Sequence, residues 1–186
     1  MTCLRSLPEP ATLINVYATY PELTNHLPDF LDRLMRGDSP FSAAERELLS
    51  GYVCGLNRCN YCCRAHVLAA AELGISEAVF DAVMADLDSA PVEERLKPVL
   101  RYVRQLTLAP GDVTDADAAA VYDAGWDDDA VIHAIMICAH FNFVTRIAQG
   151  AGLSGSEADL AEAAKRLAAR GYTSSRDVVA ELKAAT

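Results

Sequence analysis

Apolar residues recur at helical spacing along most of the chain. Between positions 20 and 37 they fall at 23, 27, 30, 31 and 34, which places them on one helix face. A second run follows Ser42, and Ser42 with Glu45 three residues later matches the capping box that starts a helix. The pattern predicts a helix from Ser42 to about Asn57, and its buried stripe would contain Leu48, Leu49, Tyr52, Val53 and Leu56.

The remainder of the chain has the same period. A helix that begins at Cys59 or Asn60 is expected to end at Gly74, because glycine commonly follows the last turn. Further helical runs follow Ser76, include Pro98, follow Thr114 and extend from about 130 to 149, and an amphipathic segment comes last. No run alternates apolar and polar residues as a strand would. The sequence therefore predicts an all-α fold: one compact domain over residues 1–186, with about seven or eight helices and a helical hairpin at about 42–74.

Charge and composition exclude several classes of function. The 186 residues carry a formal net charge of −10, so the basic footprint of a nucleic-acid-binding protein is absent. The first residues lack the charged and apolar regions of a signal peptide. The longest apolar stretch, 130–144, contains two histidines and an asparagine and is shorter than the roughly 20 residues that span a membrane. We expect a soluble, cytoplasmic protein that binds neither nucleic acid nor membranes.

Candidate chemistry is concentrated at the start of the second hairpin helix. In a reducing compartment a C-x-x-C pair such as Cys59 and Cys62 is more often redox-active or metal-binding than structural. His66 follows Cys62 by one helical turn and Cys59 by two, so all three side chains share a face. A helix N-terminus stabilises a thiolate, so lowered thiol pKa values are expected. The imidazole can accept the thiol proton, and its position favours Cys62 as the nucleophile.

A carboxylate completes the predicted site. Glu47 precedes Cys59 by twelve residues on the first hairpin helix. In an antiparallel hairpin it can face back toward His66 and orient the ring. Because its neighbours Leu48 and Leu49 are apolar, the carboxylate is expected to be paired.

These residues resemble the signature of the AhpD-like alkylhydroperoxidase family, within the carboxymuconolactone decarboxylase superfamily. The family pattern is Glu, eleven residues, Cys-x-x-Cys, three residues, His. Glu47, Cys59, Cys62 and His66 match it within the segment ERELLSGYVCGLNRCNYCCRAH. The helices before this segment and the run AGWDDDAVIHAIMICAHFNFVTRIAQGAGL are similar to the peroxidase-related subgroup, so the resemblance covers most of the chain.

The resemblance implies an all-helical enzyme that reduces organic hydroperoxides. Cys62 would attack the peroxide, Cys59 would form the disulfide with it, and His66 and Glu47 would move protons. A dithiol protein, lipoyl-bearing or thioredoxin-like, would restore the thiols without a cofactor or metal. Relatives form trimers or hexamers, so a homo-oligomer is expected. Some relatives carry a further histidine between the two cysteines, where this chain has Asn60 and Tyr61.

Several alternatives remain open from the sequence. The two cysteines can be inert packing thiols, or zinc ligands together with His66 and a distant His133 or His140. The protein can also be a redox-sensing or metal-holding oligomer without turnover. A third class is a lactone decarboxylase on the same fold, although such enzymes lack the cysteine pair. The outlying Cys3, Cys54 and Cys138 are assigned no role, and Cys63 is expected to point away from Cys62.

Overall fold

Helices form all the regular secondary structure between residues 2 and 184, the part of the chain that the computed structural model describes. The α-helices are α1 (Leu13–Thr19), α2 (Pro21–Thr24), α3 (Leu27–Arg36), α4 (Ala43–Leu56), α5 (Asn60–Glu72), α6 (Glu77–Ala85), α7 (Leu96–Leu108), α8 (Asp115–Asp123), α9 (Asp128–Ala151), α10 (Glu157–Arg170) and α11 (Ser175–Ala184). Short 3₁₀ turns cover Pro110–Asp112 and Tyr172–Ser174. The all-α prediction is confirmed.

The predicted number of helices was too low. Ten of the described helices have seven residues or more, and α2 is a single turn. Prolines divide the first apolar run, since Pro21 and Pro28 each lie in the first turn of a separate helix. Gly171, with φ of 69°, ends α10 and separates it from α11. The predicted domain also included residues 1, 185 and 186, which lie outside the described part.

The hairpin of α4 and α5 follows the predicted local signals. Glu45 N–H donates to Ser42 Oγ at 3.2 Å, and the Glu45 carboxylate accepts from Ser42 N–H at 2.7 Å. After α4 ends, Arg58 adopts a left-handed φ of 56°, which turns the chain so that Cys59 becomes the N-cap of α5. The turn therefore places both motif cysteines at the start of α5.

α4 lies at the centre of the core. It packs against α5, α7 and α9, and nine consecutive residues from Arg46 to Cys54 are buried. Burying a large apolar side chain stabilises the fold by roughly 1.5–3 kcal/mol. The largest fully buried apolar side chains include Tyr52, Phe41, Phe141, Met35, Leu48, Leu49, Leu100 and Ile137. This packing holds α4 rigidly beneath α5.

α9, at Asp128–Ala151, matches the helix predicted over about 130 to 149 and is longer than the apolar run 130–144. It has 24 residues, and the mean hydropathy of its most apolar window is 1.5, which by length and composition is enough to cross a membrane. Half of that window is buried inside the fold. A core helix of a soluble protein satisfies the same criterion, so this helix is weak support for a membrane span.

Candidate active site

Three cysteine side chains meet at the N-terminus of α5. Cys59 and Cys62 are 3% and 4% exposed, and Cys54 of α4 is fully buried. Side-chain hydrogen bonds join Cys62 to both Cys59 and Cys54. The structure thus places Cys62 between two other thiols, and Cys54 belongs to a cluster that the sequence did not predict.

The prediction of lowered thiol pKa values is wrong. The hydrogen bond with Cys54 raises the pKa of Cys62, the hydrogen bond with Cys59 lowers it, and burial raises it, so its pKa lies above the usual range. The pKa of Cys59 is also raised, first by its hydrogen bond with Cys62 and then by burial. Neighbouring thiols and burial therefore outweigh the positive end of the helix. The cysteines rest as thiols at neutral pH, and ionising Cys62 requires a base.

The base and its carboxylate are in contact. Glu47 is fully buried, and its Oε2 lies 2.7 Å from His66 Nδ1. Glu47 Oε1 accepts hydrogen bonds from Arg36 Nη2 at 2.6 Å and from the Tyr172 hydroxyl at 2.7 Å. Burial raises the pKa of Glu47, but the hydrogen bond and charge of His66, the charge of Arg36 and the hydrogen bond from Tyr172 together lower it. Glu47 is therefore ionised. It is also paired, as its apolar neighbours in the sequence predicted.

The carboxylate fixes how the imidazole can act. An ionised Glu47 can only accept hydrogen bonds, so His66 Nδ1 carries the proton between them. In the neutral ring, Nε2 is then the acceptor and can take up a proton. The edge-to-face contact of His66 with Phe141, with ring centroids 4.5 Å apart, holds the ring in this orientation. The pair is thus arranged as a base with its orienting group.

Arg36 and Tyr172 are the site residues that the sequence did not reveal. Arg36 comes from α3, and Tyr172 from the turn after α10, 125 residues beyond Glu47. Asp32 Oδ1 accepts the backbone N–H of Tyr172 at 2.5 Å. Gly171 permits this approach, because a Cβ there would collide with the Asp32 carboxylate. A glycine after a helix marks its end, but no local signal indicates that the next tyrosine reaches the site.

A cavity of about 120 Å³ opens beside the cysteines. Cys62, His66 and Tyr172 line it, whereas Cys59 does not. Most of the remaining wall is apolar and includes Leu13, Ile14, Leu31, Phe141, Val144, Leu160, Ala163 and Leu167. A small apolar molecule in this cavity would contact the sulfur of Cys62 and the ring of His66 together.

α9 fixes the turn that carries Cys59. Asn57 Nδ2 donates to Asn142 Oδ1 at 3.0 Å, and Gln149 Nε2 donates to the Asn57 carbonyl at 2.9 Å. Arg146 Nη1 donates to Asn142 Oδ1 at 2.8 Å and to Asn57 Oδ1 at 3.3 Å. These hydrogen bonds give Arg146 a structural role at the hairpin turn.

Residues 2–184 contain no set of side chains that fits the zinc site considered from the sequence. No group of three or more His, Cys, Asp or Glu side chains there could hold a metal ion. His133 lies on α9 near the backbone carbonyl of Asp129. His140 is 6% exposed, packs against Phe30 and Phe141, and leaves its Nε2 without a hydrogen-bond partner in the described chain.

We predict that His140 makes stability depend on pH. Burial, and then the nearby charge of His66, lowers the pKa of His140 from its usual value of 6.5 to about 4. Between these pH values His140 is protonated in the unfolded chain but not in the folded one. The free energy of unfolding therefore falls as the pH decreases from 6.5 to 4. The full effect is about 3 kcal/mol, and His140→Phe should remove it. Urea denaturation at several pH values measures it.

The matched control is His133→Gln on the same helix, where the side chain is only partly buried. This variant should follow the wild-type dependence on pH. If the free energy of unfolding of His140→Phe falls between pH 6.5 and 4 as it does in the wild type, another group titrates in that range.

Comparisons with known proteins connect this site to a family. Residues 21–105 match the model of the Carboxymuconolactone decarboxylase family, and this segment contains Glu47, Cys59, Cys62 and His66. The chain is also similar in structure to an uncharacterized peroxidase-related protein from Silicibacter sp. TM1040, with a TM-score of 0.73 and 24% identity, covering 80% of this chain and 78% of that one.

A second solved structure, an alkylhydroperoxidase AhpD core described as an uncharacterized peroxidase-related protein from Ralstonia eutropha JMP134, has a TM-score of 0.70 and 23% identity. The match covers 81% of this chain and 79% of that protein's chain. Comparison with curated proteins returned no match. At these identities the two structures establish a common fold. Residues 21–105 of the chain are therefore similar to the carboxymuconolactone decarboxylase family, and the chain shares the fold of the two peroxidase-related proteins.

Proposed function

We propose that the protein is a thiol peroxidase that reduces organic hydroperoxides through Cys59 and Cys62. One observation carries the proposal: Cys62 and a His66 oriented by Glu47 line the same apolar cavity. A peroxide that enters would meet the nucleophile and the base at once. The apolar wall favours alkyl and aryl hydroperoxides over hydrogen peroxide, because transfer of apolar surface from water stabilises the complex.

The first step consumes the peroxide. His66 Nε2 takes the proton of the Cys62 thiol, directly or through one water, since catalytic hydrogen bonds often tighten only with substrate bound. The thiolate attacks the terminal peroxide oxygen, so that an S–O bond forms and the O–O bond breaks. The departing alkoxide takes the proton from the imidazolium and leaves as the alcohol. Glu47 stabilises the imidazolium during this transfer.

The second step closes the disulfide. The Cys59 sulfur attacks the sulfenic sulfur of Cys62, forming the S–S bond and breaking the S–O bond, and hydroxide leaves with the Cys59 proton as water. A dithiol reductant then exchanges with this disulfide, is itself oxidised to a disulfide, and returns both thiols. Lipoyl-bearing or thioredoxin-like proteins have the required chemistry, which suits a cytoplasmic location.

A homo-oligomer, trimeric or hexameric, forms part of the proposal. α9 exposes a row of apolar side chains, with Ile132, Met136 and Phe143 at 50%, 37% and 48% exposure. Their spacing of four and seven residues sets them on one face of the helix. A second copy of the chain would bury this face.

The test is oxidation of the fully reduced protein by one equivalent of cumene hydroperoxide. We expect loss of two free thiols, a disulfide mapped by mass spectrometry to Cys59 and Cys62, and turnover when dithiothreitol is added. Cys3→Ser is the matched control, since Cys3 is exposed and lies outside the cluster of Cys54, Cys59 and Cys62. It should give the same disulfide. Six free thiols after exposure to the peroxide would reject the proposal.

A second candidate is a redox sensor that oxidises without efficient turnover, because the raised thiol pKa values leave little thiolate to attack a peroxide rapidly. Disulfide formation without sustained peroxide consumption in excess dithiothreitol would select this function. A lactone decarboxylase would leave the thiols unoxidised and release carbon dioxide instead.

A further inference from the structure

Arg166 lines the same cavity as Cys62 and has no hydrogen-bond or ion-pair partner within the described residues. It lies on α10, and its Nε is shielded from solvent without a hydrogen bond. Arg36 and Arg46 also bury an unpaired Nε, but each donates through its terminal nitrogens to neighbouring oxygens. Across residues 2–184, Arg166 makes no hydrogen bond or ion pair, which sets it apart from those two.

Across the described part of the chain, the cavity wall around Arg166 offers its guanidinium no acceptor. The adjoining wall is formed by side chains such as Leu160, Ala163 and Leu167. Tyr61 is the neighbouring polar group, and its hydroxyl already accepts the backbone N–H of Leu13 at 3.1 Å. Arg166 is half-buried, and its terminal nitrogens make no hydrogen bond within residues 2–184, so they are free to donate to a ligand in the cavity. The structure therefore has a place for an anion at the wall of the reactive cavity.

We infer that Arg166 binds the carboxylate of the substrate, so that the protein prefers apolar hydroperoxides that carry one carboxylate. The inference rests on the proposed peroxidase function and adds a substrate class to it. A guanidinium donates two parallel hydrogen bonds to a carboxylate or a phosphate. Among the described lining residues Arg166 is the sole permanent charge, which matches a monoanion better than a phosphate dianion.

A matched pair of peroxides tests the preference. Cumene hydroperoxide and its para-carboxylate have the same reacting group and differ by one negative charge. The second-order rate of oxidation of the reduced protein is measured with each, before any reductant is added, so that effects on the reductant do not enter. The wild-type protein should react about tenfold to a hundredfold faster with the carboxylate, as a charge-assisted hydrogen bond allows.

Variants of α10 assign the preference to one side chain. In Arg166→Gln the ratio of the two rates should fall to near one, and in Arg166→Lys it should be intermediate, because the charge remains without the bidentate geometry. Lys165→Gln removes the same charge from an exposed neighbour and should keep the wild-type ratio. Equal rates for the two peroxides in the wild type, or an unchanged ratio in Arg166→Gln, would overturn the inference.

Binding without chemistry separates this inference from the proposed function. Calorimetry compares 4-isopropylbenzoate with 4-isopropylbenzyl alcohol, neither of which can oxidise a thiol. Tighter binding of the benzoate that Arg166→Gln abolishes would support the anion site even if no peroxide is consumed. Oxidation of Cys62 by cumene hydroperoxide with no benzoate preference would uphold the peroxidase and reject the role of Arg166.

Discussion

Replacing Glu47 with alanine is expected to lower the free energy of unfolding by about 3–5 kcal/mol, the cost of breaking a buried ion pair by removing one partner. The carboxylate is 0% exposed and accepts hydrogen bonds from Arg36, His66 and Tyr172. Without it, the Arg36 guanidinium loses its counter-charge and the Tyr172 hydroxyl loses its acceptor inside the fold. Urea denaturation of the reduced protein at pH 7 measures the change.

The control for Glu47→Ala is Glu72→Ala, at the exposed C-terminal end of α5. It removes the same charge from a neighbouring helix and should change the free energy of unfolding by less than about 0.5 kcal/mol. Comparable losses in the two variants would mean that net charge, and not the buried pairing, sets the stability.

The Glu47 carboxylate also predicts a loss of stability in acid, at a lower pH than the loss assigned to His140. Because the pKa of Glu47 in the folded protein lies below its usual value of 4.5, the pairing stabilises the fold fully above that value. Its contribution is lost as the pH falls through the folded pKa. The difference in free energy of unfolding between wild type and Glu47→Ala should therefore narrow below pH 4.5. The loss of stability caused by His140 instead develops between pH 6.5 and 4. A difference that stays constant down to acid would contradict the assignment.

The sequence predicts best what local chemistry determines. The capping pair Ser42 and Glu45 sets the start of α4, and the turn at Asn57 and Arg58 sets its end. Once α4 and α5 form a hairpin, helical geometry alone brings Glu47 within 2.7 Å of His66. Residue type, spacing and one short turn were sufficient for this part of the site.

The remainder depends on contacts between distant segments. Arg36, Tyr172 and Arg166 reach the site from α3, the turn after α10 and α10 itself, and their spacing in the chain carries no period that points to Glu47 or Cys62. The thiol pKa values depend on tertiary packing as well. A helix N-terminus alone lowers a thiol pKa, but burial beside Cys54 reverses the direction for Cys62.

The cluster of Cys54, Cys59 and Cys62 predicts a different role for each cysteine. Replacing Cys62 with serine should abolish peroxide consumption, a loss of at least about a thousandfold, because a serine hydroxyl at neutral pH is far less nucleophilic than a thiolate. Cys62 is the cysteine that lines the cavity, whereas Cys59 does not. Coupled consumption of cumene hydroperoxide with dithiothreitol measures the rate, and Cys3→Ser is the control, because that thiol is exposed and lies outside the cysteine cluster.

Replacing Cys59 should have a different result. Cys54 is also hydrogen-bonded to Cys62, so in Cys59→Ser it can attack the sulfenic sulfur in place of Cys59 and form a Cys54–Cys62 disulfide. Only the double variant Cys54→Ser/Cys59→Ser should hold Cys62 as a sulfenic acid that dimedone labels with one adduct. If Cys62→Ser still consumes peroxide and dimedone labels Cys59, then Cys59 is the nucleophile. The cavity wall formed by Cys62 would in that case serve binding alone.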